Sequence, residues 1–359
     1  MKKELAGWYP KTTDEVAAIW ETAIFVPDAN ILLHCIRHPA QVRDELLRLF
    51  EAMGESLWIP YQVGLEFHRN RLDVERAGLD AYDQIQRDCG KAIAQARERL
   101  RQLRAHPTIE IERELTALDM YQSDFEARLT TARETHPTKE IAAVVDQVTK
   151  LFEGRVGSQW TEDTLAKLKK EGETRYARRV PPGYLDAKKD GDEYRKFGDL
   201  IIWKDMIAKA KSEKRPVIFI SDDVKEDWWW LQNGRKLGPR PELVEEFRRE
   251  AEQEFHIYEF GNFIRVAVDH HPEIKKDLDA VERSLRQDSE AKERKARSDA
   301  DRERLDQLVA LEDERDDLIA QLSGNPDQRR QKSTSIDRST IRRRLNEIDE
   351  LIEQMDEEV

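Results

Sequence analysis

Two short apolar runs end in acid. Residues 23–28 read AIFVPD, and residues 217–223 read VIFISDD. A short continuous apolar run closed by a breaker suits a strand covered on both faces. A carboxylate at the end of such a strand is costly unless something pairs it or binds it. Whatever this chain folds into has to explain Asp28 and the pair Asp222 and Asp223.

The pattern between the two runs is α/β. TTDEVAAIW at 12–20 reads as a short helix capped by Thr13 or Asp14. After the strand at 23–27, HPAQVRDELLRLFEAMG reads as a helix with Pro39 in its first turn and Gly54 as its stop. SLWIP is a second short strand ended by Pro60, and YQVGLEFHRNRLDVERA opens another helix, with Glu66 about two turns in. RKFGDLIIWKDMIAKAK is a helix that buries Leu200, Trp203, Ile207 and Ala210, and FHIYEF is a last strand. Strands separated by helices imply a twisted parallel sheet, with a ligand crevice at the carboxyl ends of its strands.

In such a sheet Asp28 and Asp222/Asp223 share one edge. Glu66 follows the second strand, and Asp199 opens the helix that leads into VIFIS. Carboxylates converging without matching cations repel one another. Hard divalent ions resolve this, and Mg²⁺ or Mn²⁺ prefers such oxygen ligands. An ion there can activate water and stabilise the leaving oxygen of a phosphodiester. Taken singly, an Asp after a strand is more often a cap, and paired Asp residues are often turn residues; it is their recurrence in order that points to a site.

Charge and composition narrow the classes. The net charge of −13 argues against bulk, charge-driven binding to nucleic acid or anionic lipid, though not against a local basic groove. The two cysteines, Cys35 and Cys89, make neither a disulfide framework nor a zinc motif. With no apolar leader in MKKELAGWYPKTTDE and no stretch approaching the ~20 apolar residues of a membrane span, the reading is a cytoplasmic protein without membrane association.

Two further regions are helical. Between 72 and 153, apolar stripes such as Tyr82, Ile85, Cys89, Ile93, Ala96 and Leu100 step by three or four, broken at AHPT and THPT. This predicts a helical insertion packed as a bundle or hairpin. Residues 272–359 form a separate charged tail after a domain at 1–271. Its seam Ile341, Leu345, Ile348, Ile352, Met355 is a heptad seam that Leu305 to Leu322 can face across SGNPDQ. A narrow coiled-coil hairpin of that kind is expected to dock on a second copy or on another protein.

The segments FVPDANILL, WIPYQVGLEFHRNR, FGDLIIWKDMI and VIFISDDVKEDWWW resemble the four acidic motifs of PIN-like domain nucleases in order, spacing and apolar context. The chain looks most like a bacterial PIN-like family with a helical insertion between its second and third motifs. ETRYARRVPPGYLDAKK and LGPRPELVEEF are similar to that family's accessory segments. The resemblance covers roughly residues 20 to 270. It implies a PIN-like α/β fold and a metal-dependent nuclease, most simply a ribonuclease. Asp28 would then be the central metal ligand, with Glu66 and Asp199 completing the set. The fourth acid stays open, since the hydroxyl-x-Asp pattern points from Ser221 to Asp223 while Asp222 is also at hand. Asn30 and Ser221 would orient ligands or water. By analogy the family suggests a toxin-like or antiviral-defence effector.

A nuclease this acidic needs local positive charge. Residues 165–215 hold 15 Lys and Arg against nine Asp and Glu, whereas 272–359 hold 18 against 25, which concentrates positive charge beside Asp199. Arg175, Arg178, Arg179, Lys188 and Lys189 flank PPGY, where Tyr184 is placed to stack on a base, and Arg69 and Arg71 lie near Glu66. In DWWW, at least two of the three Trp are expected to pack on the sheet. Three alternatives stand beside the ribonuclease: a structure-specific or single-strand DNA nuclease, a haloacid-dehalogenase-like phosphatase, and a non-catalytic protein built on its helices. Asn30 occupies the position where the phosphatase class wants a second acid, and acids at all four motifs argue against the last.

Overall fold

The computed structural model describes residues 1, 5–103, 106–187, 193–223, 225–232, 235–270 and isolated positions between 311 and 348. The chain divides into two units, Met1–Glu282 and Arg283–Val359.

The first unit is built on a three-stranded parallel sheet. Strand β1 (Ile24–Pro27) and strand β2 (Val217–Ile220) are buried throughout, as their uninterrupted apolar runs require. Strand β5 (Phe255–Tyr258) lies on the far side of β2, giving the order β1-β2-β5. The register pairs Ile24 with Val217 and Pro27 with Ile220, so both strands end level. This alignment is what sets Asp28 beside Ser221. Its last rungs are Asp28 N–H to Ile220 O at 2.8 Å and Ser221 N–H to Tyr258 O at 3.0 Å.

The expected second strand is reduced. Leu57 makes one parallel bridge to Phe25, and Ile59 makes one to Val156. A 3₁₀ turn at Gly54–Ser56 precedes them and Pro60 starts the next helix, so too few residues remain extended for a ladder. Among the elements outside the sequence reading are one helix and one strand pair beside the site. Helix α2 (Ala29–Arg37) follows β1 directly, and buries Ala29, Ile31, Leu32, Leu33, Cys35 and Ile36. A helix buried almost all round shows no stripe against which to read its period. Strands β3 (Trp229–Gln232) and β4 (Arg235–Pro239) form an antiparallel pair. As expected, Trp228 and Trp229 pack inward, leaving Trp230 partly exposed.

Helix α1 (Thr13–Thr22) carries a capping box between Thr12 and Glu15, so the cap is Thr12 rather than Thr13 or Asp14. Helix α3 (Ala40–Met53) starts at Pro39 and stops at Gly54. Helix α4 (Tyr61–Gln102) is one 42-residue helix, about 63 Å long at 1.5 Å per residue. Helix α5 (Ile111–Glu134) packs on it. Asp83 pairs with Arg133, and Arg97 pairs with Asp119, so the two run antiparallel. The breaks at AHPT and THPT are the turns before α5 and before α6 (Thr138–Leu151). Helix α7 (Glu162–Ala177) follows; α8 (Gly198–Glu213), α9 (Pro241–Ala251) and α10 (Phe260–His270) complete the layers around the sheet. Helices α1, α3, α4, α5, α6 and α8 follow the reading closely, whereas α7, α9 and α10 lay outside it.

The core centres on Trp203 of α8, which is fully buried and meets Trp228, Phe247 and Phe255 at ring-centroid distances of 6.1, 5.4 and 4.9 Å. Burying rings of this size contributes more than any polar pair near them. Among the described residues, no helix is long and apolar enough to cross a membrane. The proposed tail hairpin from Leu305 to Met355 falls almost wholly outside the described residues. Of what is described in the second unit, Arg344 forks onto Glu314 at 2.8 and 3.0 Å, and Ile348 is buried.

Candidate metal centre

Asp28 stands where β1 gives way to α2, and it does two jobs. Its Oδ1 accepts Ala29 N–H at 2.7 Å and so caps α2. Its Oδ2 accepts the Ser221 hydroxyl at 2.9 Å and, more distantly, Asn30 Nδ2 at 3.4 Å. A carboxylate has capacity for about four such contacts, so capping leaves room for a cation. Burial, then the nearby Glu66 charge, push the Asp28 carboxyl up to about 7 against the pull of the Ser221 and Ala29 hydrogen bonds, with Asp223 adding to the rise.

The other acids arrive from different elements. Glu66 lies on α4, where Gln62 one turn earlier donates to its Oε1 at 2.7 Å. A Cβ on Gly198 would sit 2.8 Å from that same oxygen, so a side chain there would make the Glu66 carboxylate shift. Asp199 follows at once in the first turn of α8. Burial, chiefly, holds its carboxyl well above the usual range; Lys225 pulls it down, while Asp186, Asp223 and Asp28 push it up. Its Oδ2 is buried and accepts no hydrogen bond.

The loop after β2 separates the two adjacent aspartates. Asp222 turns to His34, with Oδ2 2.6 Å from Nε2, and His34 is in turn held by His38 at 2.9 Å and stacked on Phe260. Asp223 turns the other way. Its N–H donates to Ser221 Oγ at 3.1 Å, which ties it to Asp28, and its Oδ2 lies 3.1 Å from Lys225 Nζ. The carboxylate of Asp222 is therefore engaged away from Lys225, for the simple reason that successive residues in an extended loop point to opposite sides.

Three residues here escaped the sequence reading. Lys225 Nζ takes both oxygens of Asp186, at 3.1 and 3.2 Å, and stands 3.8 Å from Asp199 Oδ2. Asp227 is buried and accepts Gly183 N–H at 2.9 Å. Gly183 has φ +88°, and a Cβ there would collide with the Tyr176 hydroxyl and come within 3.1 Å of Asp199. That glycine brings the PPGYLD loop, and Asp186 with it, against the acids. The signal was present in SDDVKED, where Lys225 and Asp227 alternate with Asp223, but Asp186 carries no local mark.

The donor set suits a hard divalent ion: it is all oxygen, it contains a buried oxygen that accepts no hydrogen bond, and its members raise one another's affinity for positive charge. Among the described residues, however, no group of three His, Cys, Asp or Glu side chains is already closed around a common point. Lys225 lies among Asp186, Asp199 and Asp223 instead.

The residues expected to meet nucleic acid divide. Arg175 is buried, with Nη1 and Nη2 on the two oxygens of Glu246 at 2.6 and 2.7 Å, so it is a core ion pair and no contact for a phosphate. Tyr184 is buried too; its hydroxyl donates to Glu226 at 2.7 Å and its ring lies against Arg240, which leaves no face for a base. Arg178 and Arg179 are exposed at the end of α7. Arg69 lines a cavity of about 310 Å³ with Gln62 and Arg195, and Arg71 stands 3.7 Å from Glu75. Lys188 and Lys189 lie outside the described residues. A larger groove, about 950 Å³, is lined by Asn30, Arg37, Arg43, Asn70, Tyr82 and His136.

A short parallel sheet with acids gathered at the carboxyl ends of its strands defines a nuclease-type α/β fold. A family model described as PIN like domain matches residues 24–243, and the chain belongs to that family. Members of the family are generally metal-dependent nucleases that use divalent ions. No curated protein matches the chain, and no solved structure matches it.

Proposed function

We propose that this chain is a Mg²⁺- or Mn²⁺-dependent nuclease that hydrolyses phosphodiester bonds, with RNA preferred over DNA. What carries the reading is the gathering of Asp28, Glu66, Asp199 and Asp223 at one sheet edge: Asp28 is forced up by burial and by the Glu66 and Asp223 charges, Asp199 by burial and by the Asp186, Asp223 and Asp28 charges, and one buried Asp199 oxygen accepts no hydrogen bond. Acids kept in that condition serve a cation better than they serve stability.

In this reading Asp28, Glu66, Asp199 and Asp223 hold the metal. The bound ion supplies an activated water and charge neutralisation for the scissile phosphate. The chain's own residues do the positioning. Ser221 and Asn30 fix one oxygen of Asp28, Ala29 fixes the other, and Gln62 fixes Glu66. Asp222 braces the loop through His34 and lies outside the ligand set. Arg69, Arg71, Arg178 and Arg179 supply positive charge to the backbone of the substrate, and the groove beside Asn30 gives a strand a way in. The resemblance read from the motifs favours RNA, and favours a toxin or antiviral-defence effector as the cellular task; the second unit would serve assembly.

Carboxylate chemistry serves either backbone, so paired substrates read the choice. The full-length protein is incubated with matched single-stranded RNA and DNA, with Mn²⁺, with Mg²⁺ and with chelator. Metal-dependent cleavage of RNA well ahead of DNA is expected. Faster cleavage of DNA moves the assignment to a DNA nuclease, and inertness toward both contradicts it.

A further inference from the structure

The lysine among the acids has a consequence for metal capture. Lys225 reaches three carboxylates that belong to three different elements: Asp186 in the PPGYLD loop, Asp199 at the start of α8, and Asp223 after β2. It grips them unequally. Asp186 is taken through both oxygens at 3.1 and 3.2 Å, Asp223 through one at 3.1 Å, and Asp199 stands off at 3.8 Å. Its backbone N–H also holds the second oxygen of Asp223, at 2.9 Å. One residue therefore engages both oxygens of that acid.

We propose that Lys225 is a positioning residue, a tethered cation that holds Asp223 and faces Asp199 until a divalent ion displaces it wholly onto Asp186. This rests on the metal-dependent nuclease reading of the same site. Three features make the exchange workable. The Lys225 side chain is 30% exposed, so its ammonium can withdraw along a solvated path without opening the core. Asp186 is nearly buried, at 8%, and keeps a bidentate hold on the ammonium after the other two acids let go. A flexible four-carbon stem with a point charge suits such a move better than the planar fork of arginine.

The exchange also accounts for how the acids are arranged. Among the described residues the acids are not closed around a common point, because a monovalent group already sits among them.

Calorimetric titration with Mn²⁺ of the chelator-treated, full-length protein tests this. Lys225→Met is expected to bind Mn²⁺ about tenfold more tightly than the wild type, equivalent to ~1.4 kcal/mol, because no built-in competitor remains. The same variant is expected to melt at a lower temperature without metal and to regain most of the difference in saturating Mn²⁺. Lys225→Arg, which keeps the charge, is expected to show no tightening. A merely structural lysine would weaken metal binding when removed. Equal or weaker Mn²⁺ affinity in Lys225→Met overturns the inference while leaving the nuclease reading intact. Absence of Mn²⁺ binding by the wild type overturns both. Should Lys225→Met fail to fold, Lys225→Gln is read by the same criteria.

Discussion

At the scale of single residues, this site works by giving each side chain two partners. Asp28 caps a helix with one oxygen and meets Ser221 with the other. The ordinary reading of a strand-end aspartate and the metal-ligand reading are thus compatible. Asp222 and Asp223 are adjacent in sequence and opposed in space, one on His34 and one on Lys225. Asp223→Asn is therefore expected to lower cleavage on the order of 10²-fold, and Asp222→Asn by less than about tenfold. Single-turnover rates on one labelled RNA decide it, and the reverse ranking would place the ligand one residue earlier. The strand-end acids could be read from sequence because their cost has no other sign there. Asp186 could not, since a charged residue in a loop looks the same whether it faces water or a carboxylate, and Lys225 was marked only by its place in SDDVKED.

At the scale of elements, the sequence patterns reported half-buried helices well and fully buried ones poorly. The insertion was legible because α4 and α5 cover only one edge each, half-burying Leu115, Leu118, Phe125 and Leu129 on α5, which leaves a stripe. Helix α2 was not, because burial on every side erases the period. The PPGY segment shows a different limit. Its basic residues look alike in sequence, yet Arg175 is locked on Glu246 while Arg178 and Arg179 are exposed one turn later. Arg175→Met is expected to destabilise the fold by about 3–5 kcal/mol, since it leaves the buried Glu246 charge to Lys204 and the Trp203 indole N–H alone. Denaturant unfolding monitored by tryptophan fluorescence measures this; a loss below ~1 kcal/mol would mean water reaches the pair. Reversing the charge at Arg178 and Arg179 should leave stability unchanged. It should instead flatten the dependence of RNA affinity on salt by about one unit per lost phosphate contact.

At the scale of the whole molecule, the fold stores repulsion among its acids, and this makes stability depend on pH and on metal. The Asp28 carboxyl titrates near 7 when folded and near 4 when unfolded. Between those values the native protein holds a proton that the unfolded chain has lost, so stability falls as pH rises from about 4 to about 7 and stays low above that. Asp199 shifts in the same direction. The metal-free protein should therefore melt at a higher temperature at mildly acidic pH than above neutrality, at about 2–4 °C for each kcal/mol involved. Saturating Mn²⁺ should flatten that slope. A metal-free protein whose melting point rises toward pH 8 would mean these acids are not strained.

The most direct test joins the residue to the whole: cleavage of a single-stranded RNA by the wild type and by Asp28→Asn, each with Mn²⁺ and with chelator. Asparagine keeps the volume of the side chain and an oxygen to cap α2 while removing the charge that a metal needs. The expected result is Mn²⁺-dependent cleavage by the wild type and a loss on the order of 10³-fold or more in the variant, with a metal-free melting temperature equal to or above that of the wild type. Undiminished cleavage by a folded Asp28→Asn protein would contradict the assignment of this crevice as the nuclease centre.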